Sequence, residues 1–209
     1  MDSQTVVRTR RALHAVAETL LAGPQYRTSG TIRLQVSPGG FATRAEPWLR
    51  VVGAELVAAG RYQSLQRTTC AALAAELGVE AGAPAGLYQD GAGVDSEEAI
   101  DADPAAAEWL AHCFAIGDAA LRGTFPDADP VIWPEHFDVA VTVDAANYGV
   151  SPGDAFQPEP YAYVGPHDQQ HGEFWNAPFG AVRTIRDLGG VGAVADFFGH
   201  GRQLLGENG

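Results

Sequence analysis

The sequence predicts an α+β fold, a mainly antiparallel sheet covered by helices on one side. Three observations carry this. Residues 31–37 alternate strictly between apolar and polar, and the turn residues Pro38-Gly39-Gly40 follow at once, which reads as a hairpin. Residues 136–144, HFDVAVTVD, alternate in the same way. The segments with helical period stand in blocks rather than between successive strands, which argues against a parallel βαβ sheet.

The elements follow in order. Residues 5–22 place Leu13, Val16, Leu20 and Leu21 near one helical face, with Gly23-Pro24 as the expected stop. In 31–37, Ile32, Leu34 and Val36 face one way and the polar residues the other. Residues 41–44 return the hairpin, and WLRVV and AELVA add two short strands around Gly53. A helix is expected over 62–77, ended by Gly78. Residues 79–102 read as a solvated acidic loop whose Asp90, Asp95, Glu97, Glu98 and Asp101 lack calcium-loop spacing. The next helix has Asp103 at its N-cap, Pro104 at its first position and Gly123 beyond its end. A strand over 136–144, a turn at NYGVSPGD closed by Asp154, and a strand PYAYV come next, then two tail helices split by Gly189-Gly190.

At 209 residues one α+β domain spanning 1–209 is the expectation, long enough to enclose a core. No apolar run is long enough to cross a bilayer, so no membrane partner is expected. Cys70 and Cys113 lie apart in helical patterns, and two buried free thiols point to a reducing, cytoplasmic location. Lysine is absent, and all thirteen positive charges are arginine. Arginine does not give up its proton, so Schiff-base chemistry, pyridoxal phosphate anchoring and a P-loop nucleotide site are excluded. Residues 1–67 carry nine Arg against four acids, and 68–209 carry four Arg against 22 acids. The net charge of −13 repels phosphate backbones, and no nucleic-acid partner is expected. Attraction between the two parts, within one chain or in a homo-oligomer, is the simpler account of the asymmetry.

Residues 130–179 hold the chemistry-bearing side chains, with three of six His, seven of thirteen Pro and nine of nineteen aromatics. Prolines fix the backbone and aromatics supply rigid contact area, the composition of a shaped surface. Period two sends His136 and Asp138 to the same side of the 136–144 strand, roughly 7 Å apart. That pair fits acid–base catalysis, with His136 acting and Asp138 orienting it, or ligation of a divalent metal. A solvent-facing polar strand edge would have the same pattern. His167 and His171 have the H-x3-H spacing of two imidazoles on one helical turn, with Glu173 just beyond. Together with His136 and Asp138 they make an N and O ligand set, although an exposed loop explains HDQQHG equally well. Trp133, Tyr148, Tyr161, Tyr163 and Trp175 are the expected walls of a small-molecule site.

Two literal motif matches carry nothing. In Gly149-x-Ser151-x-Gly153 the residue after serine is Pro152, which has no N–H to serve an oxyanion hole. Gly190-x-Gly192-x-x-Ala195 lacks the chain beyond it that a dinucleotide unit needs. The functional expectation is a small-molecule-binding protein, an enzyme if the His136–Asp138 pair or a metal is used. A non-catalytic ligand carrier and a structural, oligomer-forming protein stand as the alternatives.

Overall fold

The computed structural model describes residues 2–88 and 91–207, which divide into two compact units. The expected loop acid Asp90 lies outside the described residues. The first unit holds the described residues up to His112 together with Ile132–Phe137, and the second holds Cys113–Val131 and Asp138 onward. The fold is α+β, with ten strands in large antiparallel sheet structure, six in the first unit and four in the second. Among the described residues no helix is long and apolar enough to cross a membrane.

Helix α1 (Ser3–Val16) begins at Asp2, whose carboxylate accepts the Thr5 N–H at 2.9 Å. The helix does not stop at Gly23-Pro24. It widens into a π-helical segment (Ala17–Ala22) and continues as α2 (Gly23–Ser29), ending at the left-handed Gly30. Pro24 lies inside this continuous run, where its missing N–H leaves a carbonyl of the preceding turn without a helical donor, and the Thr19 carbonyl five residues back accepts the Gly82 N–H at 3.0 Å. Gly23 is there for contact rather than termination: a Cβ would lie 1.7 Å from the Gly82 carbonyl oxygen.

The hairpin β1 (Leu34–Ser37) and β2 (Gly40–Thr43) pairs as the alternation predicts, and β3 (Leu49–Val52) and β4 (Glu55–Ala58) extend it. A further strand, β5 (Arg61–Ser64), occupies the expected start of the 62–77 helix. Ala59 and Gly60 both take positive φ, a tight turn that returns Arg61–Ser64 onto β4. Strand β6 (Thr68–Thr69) precedes α3 (Cys70–Leu77), which starts later than expected, at its N-cap Thr69, and stops at Gly78, as read. Strand β7 (Ala99–Ile100) pairs with β6. Helix α4 (Pro104–Thr124) starts as expected, with Asp103 accepting the Ala106 N–H at 2.9 Å. Strand β8 (Val131–Trp133) completes the first unit's order, β8-β1-β2-β3-β4-β5.

The second unit is a meander of β9 (Asp138–Val143), β10 (Ala146–Ser151), β11 (Tyr161–Pro166) and β12 (Ala181–Thr184). Of residues 147–154, expected to turn, 147–151 instead extend the strand that begins at Ala146. The turn is instead at Asp144-Ala145, both with positive φ. Residues 181–184 pair with β11 rather than beginning a helix. Thr184 then caps the four-residue α5 (Ile185–Leu188), and α6 (Val191–Glu207) closes the described chain.

Register assigns the two faces of this meander. Val139 pairs with Val150, Val141 with Tyr148 and Tyr148 with Val164, so these share one face. Both helices pack there: a Cβ on Gly117 of α4 would reach Val139 and Val150 at 2.8 Å, and one on Gly201 of α6 would reach Val164 at 2.9 Å. Glycine at those positions lets the helices approach closely. The opposite face carries Asp138, Ala140, Thr142, Ser151, Tyr161 and Tyr163. One valine-rich face under helices and one polar face is what the alternation in 138–143 dictates.

Candidate functional site

The polar face of the second unit is built around Gly149. Tyr163 lies directly across from it in the β10–β11 register, and a Cβ on Gly149 would be 2.6 Å from the Tyr163 hydroxyl oxygen. The bare glycine thus lets the phenol lie flat over β10 and reach β9, where its hydroxyl donates a short hydrogen bond to the Asp138 carboxylate. Asp138 is only 6% exposed. Burial raises the Tyr163 hydroxyl well above its ordinary range, and the Asp138 charge raises it further. The phenol therefore stays protonated and remains a donor. Next to it, Tyr161 donates to Asp154 at 2.6 Å, and burial followed by that carboxylate raises its hydroxyl too. Asp154 also accepts the N–H groups of Phe156 and Gln157, each at 2.8 Å, so it does close the turn after Ser151.

The Asp154 turn leads to a cavity. Phe156 lies edge-on to Phe179, with ring centroids 5.2 Å apart. Phe179 lines a cavity of about 560 Å³ together with His167, Gln170, His171 and Trp175. The loop between β11 and β12 makes this hollow. At its base Gly180 has φ 143°, and a Cβ there would stand 2.0 Å from the Val164 carbonyl oxygen. Ala177 and Gly180 exchange backbone hydrogen bonds at 2.9 and 3.1 Å. Asn176 clamps β12 by accepting the Val182 N–H at 2.9 Å. Trp175 stands edge-on to Phe174, centroids 4.9 Å apart, and Phe174 packs on Phe197 of α6 at 5.3 Å. The rim is thus anchored to the core of its own unit.

The structure gathers some of the expected residues and separates others. Asp138, Tyr161 and Tyr163 share one face, and His167, His171 and Trp175 share one cavity. His136 does not stand beside Asp138 on a strand. It lies exposed in the turn after β8, because Phe137 has φ 54° and the regular strand begins only at Asp138. Tyr148 is wholly buried on the helix-covered face, its ring 4.5 Å from Phe125 and 6.1 Å from Phe198, so it serves the core rather than a cavity wall. Trp133 belongs to the first unit, where the Arg33 guanidinium sits 5.6 Å over its ring. Glu173 is exposed. Among the described residues no three His, Cys, Asp or Glu side chains group closely enough to hold a metal ion. The expected ligand set of His136, Asp138, His167, His171 and Glu173 does not assemble: H-x3-H needs a helical turn, and 167–171 is a bend and loop.

Sequence reasoning also missed polar groups inside the first unit. Glu18, on the π-helical segment, accepts the Ala92 N–H at 2.9 Å. The Tyr88 hydroxyl stands near both Glu18 and Glu135, and burial first, then those charges, raise it. His14 stacks on Phe137 at 5.2 Å, and its Nε2 is 2.7 Å from the Pro134 carbonyl oxygen. Burial lowers its pKa to about 4. The wide π turn that turns Glu18 inward leaves no mark in a 3.6-residue pattern. Compared with protein-family models, curated proteins and solved structures, the chain matches none.

Proposed function

We propose that this protein binds a small, uncharged polar molecule in the cavity framed by residues 166–180. One observation carries the reading: the loop encloses about 560 Å³ and lines it with two imidazoles, two side-chain amides and aromatic walls. That volume falls within the usual span for small-molecule sites, and mixed aromatic and hydrogen-bonding walls are their usual lining. The lining contains no arginine, so an anion would meet no counter-charge, and Asp168 adds repulsion. His167, Gln169, Gln170 and His171 offer donors and acceptors to hydroxyl or amide groups, while Trp175 and Phe179 offer faces for an apolar side. The buried free thiols Cys70 and Cys113 fit a reducing, cytoplasmic setting for such a protein.

Calorimetric titration with D-glucose, myo-inositol and adenosine, each singly, tests the reading, with inorganic phosphate as control. At least one neutral probe should bind saturably in the micromolar to millimolar range, and His171→Ala and Trp175→Ala should each weaken it several-fold. Saturable binding of phosphate alone, or of none of the four, would overturn it.

A second reading, proton-handling catalysis, draws on the pair of buried Asp138 and half-buried Tyr163, an acceptor and a donor held together on one sheet face. It turns Asp138 from orienting His136, as the sequence suggested, to acting beside Tyr163. If a bound probe is turned over, Tyr163→Phe should lower kcat by a larger factor than KM. Equal turnover in that variant would remove the pair from the chemistry.

A further inference from the structure

A second cavity, of about 550 Å³, lies wholly within the first unit. Its walls come from three places in the chain: Arg27 and Thr28 near the end of α2, Glu46 and Trp48 ahead of β3, and Val79 and Glu80 just beyond α3. Trp48 is 64% exposed, a large apolar ring left uncovered beside a hollow. The charges around it do not cancel. Arg27 is engaged with its own wall: its guanidinium donates a short hydrogen bond to the Glu80 carbonyl and one of 3.3 Å to that of Gly82, and stands 3.8 Å from the Glu80 carboxylate. Glu46 is exposed and makes no ion pair among the described residues. Two carboxylates against one arginine leave the lining with one net negative charge. The carboxyl end of α3, at Leu77 and Gly78, adds the partial negative charge of its last carbonyls.

We propose that this pocket binds a small organic cation, an alkylated ammonium group seated on the Trp48 indole with its charge met by Glu46 and Glu80. An indole face attracts a cation through its quadrupole, and a weakly hydrated alkylammonium is the cation that gives up least in leaving water for it. A metal ion has no use for the ring and would need more oxygen ligands than two carboxylates supply. An anion would meet Glu46 and Glu80 first. An uncharged apolar ligand would use the ring but not the carboxylates. The alkylammonium alone uses both.

The test compares choline with 3,3-dimethylbutan-1-ol, its uncharged isostere, on the full chain labelled with 15N at the tryptophan side chains. The indole N–H signal absent from Trp48→Phe identifies Trp48. Choline should shift that signal saturably while the other three tryptophans stay still, and the isostere should bind at least about fivefold more weakly. Trp48→Ala should weaken choline, followed by calorimetry, by about fivefold or more, and Glu46→Gln by about two- to threefold. Trp48 and Glu46 are exposed, so both variants retain the fold, which the unshifted tryptophan signals of each will report. Equal binding of choline and its isostere, no saturable shift at Trp48, or unchanged affinity in Trp48→Ala would each overturn the proposal. This site is independent of the 166–180 cavity, so either proposal can fail without the other.

Discussion

Two buried polar side chains, Gln25 of the first unit and Asp138 of the second, hold different partners. In the first unit Gln25 and Thr43 bind backbone. Gln25, fully buried, donates to the carbonyls of Thr31 and Arg33 at 2.9 and 3.1 Å and accepts the N–H groups of Arg44 and Ala45 at 2.6 and 2.9 Å. Thr43 does the same on a smaller scale, donating to Pro47 and accepting from Leu49. In the second unit the polar face of the sheet joins side chains to one another: the buried Asp138 with Tyr163, and the exposed Thr142 with Asn147 at 2.7 Å, while Asp154 holds both the Tyr161 hydroxyl and two backbone N–H groups. A side chain that satisfies backbone is part of the scaffold, since its loss leaves main-chain groups stranded. A side chain paired with another side chain can exchange that partner for a ligand. The contrast assigns structural work to Gln25 and Thr43, and to Asp154 through its two N–H bonds, and leaves the Asp138–Tyr163 pair able to exchange partners.

The comparison breaks most visibly at Gln25. Replacing it with Leu strands two N–H groups and two carbonyls, and the expected cost is about 3 kcal/mol or more by urea denaturation. Cys70 and Cys113, one buried thiol in each unit, report which unit opens. Burial raises both thiols, Cys113 to about 12, so alkylation of the native protein is slow and tracks opening. Gln25→Leu should speed modification of Cys70 more than that of Cys113. Equal acceleration would merge the two units into one cooperative block.

The next effect is one of pH. The His14 pKa falls from 6.5 to about 4 on folding, so the unfolded chain binds the extra proton between those values. Stability from this group is complete above pH 6.5 and is lost as pH falls towards 4, at most about 3 kcal/mol and less with solvent screening. His14→Gln should flatten that slope in acid denaturation curves, and a slope left intact would assign it to carboxylates instead. A smaller loss, about 1 to 2 kcal/mol, is expected for Asp138→Asn, which weakens the charge-assisted bond from Tyr163. A cost rivalling Gln25→Leu would place Asp138 among the scaffold residues. The smallest effect has the opposite sign. The buried Tyr148 hydroxyl has no hydrogen-bond partner among the described residues, and Tyr148→Phe should be neutral or stabilise by up to about 1 kcal/mol.

The fold was legible where one residue type fixed one outcome. Asp103-Pro104, the end of the 31–37 alternation at Ser37, and Gly78 each announced a boundary that the structure keeps, although the strand itself begins only at Leu34. Strands β5, β10 and β12 were not legible, because four to six residues carry too little period to outweigh neighbouring patterns. The pairing of β5 and β10 comes from left-handed turns at Ala59-Gly60 and Asp144-Ala145, and Ala in such turns gives no warning. In the site, alternation placed Asp138 correctly and His136 wrongly, since a single left-handed residue, Phe137, resets the register. The shared face of Tyr161 and Tyr163 was readable from spacing. That Asp138 joins it was not, because it depends on Gly149 admitting the Tyr163 ring.

The cavity at 166–180 is the claim on which the functional reading depends, and histidine NMR reaches it directly. With imidazole-labelled protein at saturation by whichever neutral probe binds, the ring signals of His167 and His171 should move together while those of His14 and His112 in the first unit stay in place. Shifts at His14 or His112 with His167 and His171 unmoved would contradict the assignment.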